Sequence, residues 1–158
     1  MKLTPADVEA VKDALKKISF FEYLRPEELD ELLRGFDKQP FRKRDTLITQ
    51  GKTGEVFYIL AAGSVGIFRS RKLVDRKIAT LGPQGFFGEM SLISNEPRSA
   101  SVVAETDGVV FTLSRDTFRR VILGNPHIAS LIRRTAKDRQ AEARAIELKE
   151  RMGEDIAE

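Results

Sequence analysis

Between Phe41 and Leu113 the chain is cut into short β-rich pieces by frequent turns, and this constrains the fold more than any other feature. Phe41 and Leu47-Ile48 sit in brief apolar pieces ahead of a Gly51-Lys52-Thr53-Gly54 turn. Val56-Phe57-Tyr58-Ile59-Leu60-Ala61 is rich in β-branched and aromatic residues, and beyond Gly63 the residues Val65 and Ile67 alternate with small neighbours. A polar connector from Arg69 to Asp75 leads into Arg76 to Leu81, and Gly82-Pro83-Gln84-Gly85 breaks the chain again. Ser99 to Glu105, a turn at Asp107-Gly108 and Val109 to Leu113 complete the series. Pieces this short, with turns this frequent, predict a small antiparallel β-barrel or jelly-roll-like sandwich.

Both flanks read as helical. Thr4 is placed as an N-cap, with Pro5 at the first helical position and Asp7 in the first turn, and Val8, Val11, Leu15 and Ile18 recur at helical spacing. A second helix starts at Pro26 and ends near Gly35, a candidate for the left-handed residue past its end. Phe20, Phe21 and Tyr23 between them are expected to pack the helices on the next unit. After the β region, Ser114 caps a helix with Phe118, Val121 and Ile122 inward, stopped by Gly124-Asn125-Pro126. A longer helix from about Pro126 to Met152 follows, and its charged second half from Ala141 to Glu150 reads as a solvated face. The expected class is α+β: a jelly-roll-like β-roll flanked by N-terminal helices and two C-terminal helices. Its 158 residues suit one domain, divided as 1–38, 39–113 and 114–158.

Composition narrows the function. The net charge of +3, from 27 basic and 24 acidic residues, gives no warrant for nucleic-acid binding. There are no cysteines, which excludes disulfides and thiolate chemistry and fits a reducing compartment. The start lacks an apolar signal segment, and the most apolar run, Val56 to Phe68, is too short to span a bilayer. A cytoplasmic setting is expected. His127 is the single histidine, so a metal-dependent barrel enzyme is disfavoured, and no Gly-x-Ser-x-Gly elbow is present. No catalytic and no metal-binding residue is assigned.

The chemistry lies between Phe86 and Val102. Gly85 and Gly88 allow close backbone approach, and Glu89-Met90-Ser91-Leu92 can form one helical turn whose amides face an anion. Arg98 keeps its charge and can grip two phosphate oxygens at once, while Pro97 stiffens the approach to it. Ser99 adds a hydroxyl and an amide, and Ala100 an amide without bulk. Glu89 would repel a phosphate but suits a sugar hydroxyl, as acids do in dinucleotide sites. The inferred ligand carries phosphate and sugar close together.

These residues resemble the phosphate-binding cassette of cyclic nucleotide-binding domains, here Gly88-Glu89-Met90-Ser91-Leu92 followed by Pro97-Arg98-Ser99-Ala100 within 85–100. Gln50-Gly51 to Leu60 is similar to the glycine-marked hairpin of that family, and Gly63-Ser64-Val65 to its following strand. The resemblance covers roughly residues 18 to 145. It implies that Arg98, Ser99 and the Ala100 amide bind the cyclic phosphate, and that Glu89 and the Gly88 amide take the ribose hydroxyl. Glu55 matches an acid that pairs with the phosphate arginine in some members. Val65, Phe87, Met90 and Leu92 are candidates to line the pocket, with plain core as the alternative. The last helix would be a lid, with Arg139 against the base or else solvated. The resemblance implies a regulatory sensor rather than an enzyme, binding cAMP, with cGMP as the alternative since Ser99 occupies the position that bears on selectivity. The implied partners are the cyclic nucleotide and an unknown effector protein or domain, with a possible homodimer through the C-terminal helix and neither a DNA-binding domain nor a membrane segment in the chain. The rival from another class is a β-roll that binds no nucleotide and serves as a protein-interaction module.

Overall fold

A computed structural model of the chain describes residues 2–92, 96–122, 124–130, 133 and 134, with the backbone alone at Ser19, Phe20 and Met90. The N-terminal helix α1 (Pro5–Leu15) begins where Thr4 and Asp7 cap each other. The Thr4 hydroxyl accepts from the Asp7 N–H at 3.1 Å, and the Asp7 carboxylate accepts from the Thr4 N–H at 2.9 Å. Lys38 Nζ adds a contact to the same carboxylate at 2.9 Å. The backbone bond to Thr4, then the Lys38 bond, hold the Asp7 carboxyl below its ordinary 3.8. A carboxyl depressed by folding contributes stability above its unfolded pKa and loses it as pH falls through the folded value. Thr4→Ala, which removes the hydroxyl acceptor of the Asp7 N–H, is expected to cost about 1 kcal/mol by urea denaturation. Asp7→Asn removes the carboxylate instead, and its cost should fade as pH falls below 3.8.

A short 3-10 turn (Ser19–Tyr23) leads to α2 (Pro26–Gly35), where Pro26 opens the helix and the Glu28 carboxylate accepts from the Arg25 N–H at 2.9 Å. Phe21 is buried with its ring 6.0 Å from that of Phe118, as its spacing between the helices suggested. Gly35 departs from expectation. It is the last helical residue, it lacks positive φ, and Phe36 leaves the helix in extended conformation. A Cβ at Gly35 would meet the Thr117 side chain at 2.5 Å, so glycine serves close helix packing there and not a left-handed cap.

Among the described residues, eight strands form two four-stranded antiparallel sheets. One sheet joins β1 (Asp37–Phe41), β8 (Gly108–Ser114), β3 (Val56–Ala62) and β6 (Phe86–Phe87) in that order. The other joins β2 (Thr46–Ile48), β7 (Ser101–Ala104), β4 (Val65–Arg71) and β5 (Val74–Leu81). The strand region starts at Asp37, ahead of Phe41, where the apolar pattern begins. Its polar opening and Pro40 fit an edge strand, which has no second ladder to supply. The helix α3 (Arg115–Ile122) follows β8 directly, with Ser114 Oγ accepting from the Thr117 N–H at 3.2 Å. A helical turn at 126–130 comes next, and the remainder of the expected long helix, except 133 and 134, lies outside the described residues.

Two cores explain why β3 and β8 read as nearly continuous apolar runs. Phe57 and Ile59 of β3, with Phe111 and Leu113 of β8, pack under Val11, Leu15, Leu32 and Phe118 of the helices. Leu60 and Val110 point the other way, into the space between the sheets, with Phe41, Ile48, Val65, Phe87 and Val102. Both faces of these strands are covered, so period-two alternation with polar residues is lost.

Candidate functional site

The site is built where β6 leaves the first sheet and β7 enters the second. Gly88 has φ of +78° and turns the chain out of β6 into the 3-10 turn Glu89–Leu92, which closes through the Ser91 N–H on the Gly88 carbonyl at 3.1 Å. The chain returns at Pro97 and Arg98. The Arg98 N–H donates to the Lys52 carbonyl, and the Arg98 carbonyl accepts from the Gly51 N–H, both at 2.8 Å. Arg98 is thus strapped to the loop between β2 and β3 before its side chain is considered.

Its guanidinium is half-buried, and Nη2 donates to the Val56 carbonyl at 3.0 Å. Burial pushes its pKa below the usual guanidinium range, Tyr58 and Glu89 oppose that shift, and the Arg115 charge reinforces it. A desolvated cation of this kind is stabilised by an anion delivered beside it. Glycines make room for the group: a Cβ at Gly88 would lie 2.7 Å from Arg98 Nη1, and one at Gly54 would collide with the same guanidinium. The Tyr58 ring stacks on Phe87 at 4.9 Å and 10°, and partial burial raises the pKa of its hydroxyl.

A cavity of about 390 Å³ opens over this arrangement. Its apolar wall is Ile48, Ile67, Phe86, Phe87 and Val102, and its polar wall is Gly88, Glu89 and Ser91 with Glu96 to Ala100. The structure therefore brings together Phe87, Gly88, Glu89, Ser91, Arg98, Ser99 and Ala100 of the residues singled out from sequence. Met90 lies in the turn between Glu89 and Ser91. Val65 and Leu92 are fully buried core residues and are not among the residues that line this cavity. Glu55 has an exposed side chain, and the carboxylate whose charge acts on Arg98 is that of Glu89. Arg139 lies outside the described residues.

Sequence reasoning passed over Ile67 and Val102, which face each other across β4 and β7 and line the cavity together. Period two from Val65 would have pointed to Ile67. It also passed over Arg115, which is buried at the head of α3. Arg115 Nε donates to the Ser91 carbonyl, Nη2 donates to the Gly54 carbonyl at 2.9 Å, and its N–H donates to the Glu55 carbonyl at 2.8 Å. One side chain thereby joins the 89–92 turn, the 51–54 loop and the helix that follows the β-roll. Nothing in the sequence separates it from the exposed arginines nearby.

The described residues hold no group of three or more His, Cys, Asp or Glu placed for a metal ion. His127 is exposed, with its ring 4.7 Å from that of Tyr23. No helix among the described residues is long and apolar enough to cross a membrane.

An arginine strapped over a cavity, facing a glycine-led acidic turn within a β-roll, defines a class of ligand-binding domain. The chain belongs to the cyclic nucleotide-binding domain family, whose model matches residues 38–125. It is 35% identical over 120 residues to the cAMP-dependent protein kinase regulatory subunit of Eremothecium gossypii, covering 76% of this chain and 25% of that protein. It is 32% identical to the cGMP-dependent protein kinase of Plasmodium berghei, covering 79% of this chain and 14% of that protein. The regulatory domain of Toxoplasma gondii PKA, solved with cAMP, superposes with a TM-score of 0.68 at 25% identity, over 75% of this chain and 46% of that one. The chain therefore spans a quarter or less of these two curated relatives.

Proposed function

We propose that this domain is a cytoplasmic cAMP sensor that signals to an effector protein or domain by closing its C-terminal helix over the bound base. The observation that carries the reading is the half-buried Arg98 guanidinium at the wall of the cavity, with Glu89 beside it. Arg98, Ser99 and the Ala100 amide take the cyclic phosphate. Glu89 and the Gly88 amide take the ribose 2′-hydroxyl. Met90 and Ser91 hold the turn between them, and Phe87 forms the apolar floor. Arg139 meets the base from the lid, and the lid helix is also where a second copy would pair.

Binding can signal only through a difference in affinity between two states, here lid open and lid closed. Hydrogen exchange along residues 127–150 should slow on adding cAMP, and equal protection with and without it would refute the lid. Ligand class is read from thermal unfolding with cAMP, cGMP and AMP. A ligand at a hundred times its dissociation constant adds about 2.7 kcal/mol of stability. A larger shift with cAMP than with cGMP is the expected result, and no shift with either leaves the protein-interaction module as the answer. The cGMP reading is kept because the Plasmodium berghei relative is a cGMP-dependent kinase.

A further inference from the structure

The β4–β5 hairpin runs out beyond the barrel. Every residue of β5 from Val74 to Thr80 is exposed, as are Arg69 to Arg71 at the end of β4. The turn places Lys72 at φ of +52° and Leu73 at +67°, a two-residue geometry that favours Asn-Gly. A leucine there is both strained and fully exposed, and Val74 beside it is 62% exposed. Between Arg69 and Ile78 the hairpin carries five basic residues, Arg69, Arg71, Lys72, Arg76 and Lys77, against one acid, Asp75. The register pairs Arg69 with Arg76 and Arg71 with Val74, which sets these four on one face.

The root of this arm is fixed. Gln50 Oε1 accepts from the Ser70 N–H at 2.7 Å, and Gln50 Nε2 donates to the Ser70 carbonyl at 3.1 Å. On the other side Lys77 Nζ donates to Glu105 at 2.8 Å. The tip is therefore presented by a braced arm.

We propose that the hairpin is a docking arm for an anionic lipid bilayer, with Leu73 and Val74 entering the acyl boundary and Arg71, Lys72 and Arg76 meeting the headgroup phosphates, while Arg69 Nε stays on the Ser99 carbonyl at 3.4 Å. The tip is exposed on both strands, with no neighbouring element among the described residues to wall a groove for an acidic peptide, whereas a bilayer accepts an exposed apolar end. A second copy would bring the same positive charge against itself. A nucleic acid would match the basic residues and leave Leu73 and Val74 in water. Basic side chains close behind an apolar edge match the depth profile of a lipid interface.

Co-sedimentation of the full chain with vesicles tests this, and the test is independent of nucleotide binding. The wild type should sediment with phosphatidylcholine–phosphatidylserine vesicles, weaken in high salt, and remain in solution with phosphatidylcholine alone. Leu73→Asn suits the left-handed turn, so the fold and melting temperature should hold while partitioning falls by roughly tenfold. Arg71→Glu with Arg76→Glu should lower it by about thirtyfold or more. Equal binding to both vesicle types, or unchanged partitioning of Leu73→Asn, overturns the proposal. Capture by polyglutamate in the absence of vesicle binding overturns it in favour of an acidic protein partner.

Discussion

Replacing Arg98 with leucine is expected to weaken cAMP binding by about thirtyfold to several thousandfold, the equivalent of about 2–5 kcal/mol for a buried charge pair left with one member. The fold should survive, because the backbone of residue 98 stays tied to Lys52 and Gly51 and the side chain gives up one bond to the Val56 carbonyl. Arg98→Lys keeps the charge and loses the two-pronged fork, so it should fall between the wild type and leucine. Isothermal calorimetry is the measurement. If Arg98→Leu binds as the wild type does, the phosphate is held elsewhere and the roles given to Ser99 and Ala100 fall with it.

The second large effect is expected on stability. Arg115→Ala removes the donors that satisfy the Ser91 and Gly54 carbonyls, and it empties a buried position at the head of α3. Losing charged hydrogen bonds and stranding their acceptors should cost about 2–4 kcal/mol. For a chain of this size that is a fall in melting temperature on the order of 5–15 °C. Affinity should fall as well, since the 89–92 turn loses its tie to the rest of the site. Arg115→Met keeps the apolar stem and separates packing from bonding; it should recover only a minor part of the loss. A denaturation midpoint unchanged by Arg115→Ala without ligand would show that the bridge contributes nothing.

Much of this site was legible because its parts are contiguous and use special residue types. Gly88 with Glu89, and Arg98 with Ser99, lie within one loop, so spacing alone placed them on one cavity. The flanking helices were legible for a similar reason, since Thr4, Asp7 and Pro26 act within a turn of themselves. What escaped was decided across the fold. Arg115 owes its role to carbonyls of Ser91 and Gly54, far away in sequence, and an arginine in a charged helix start gives no local sign of burial. Val65, Ile67 and Leu92 are all apolar, and which of them faces the cavity depends on how two sheets close. Gly35 looked like a helix end for its backbone and proved to be one for its missing side chain, which the approach of Thr117 requires.

β3 carries a further consequence. Phe57 and Ile59 belong to the core under the helices, while Tyr58 and Leu60 pack into the core between the sheets, so alternate residues of one strand hold both. Loss of either core should therefore loosen the other. The described part of the domain should denature as one cooperative unit, without a state in which α1 and α2 have come away from an intact β-roll. Whatever steadies the nucleotide side of β3 is then felt by α1 and α2 behind it as slower local opening, across a single strand's thickness and without displacing any helix.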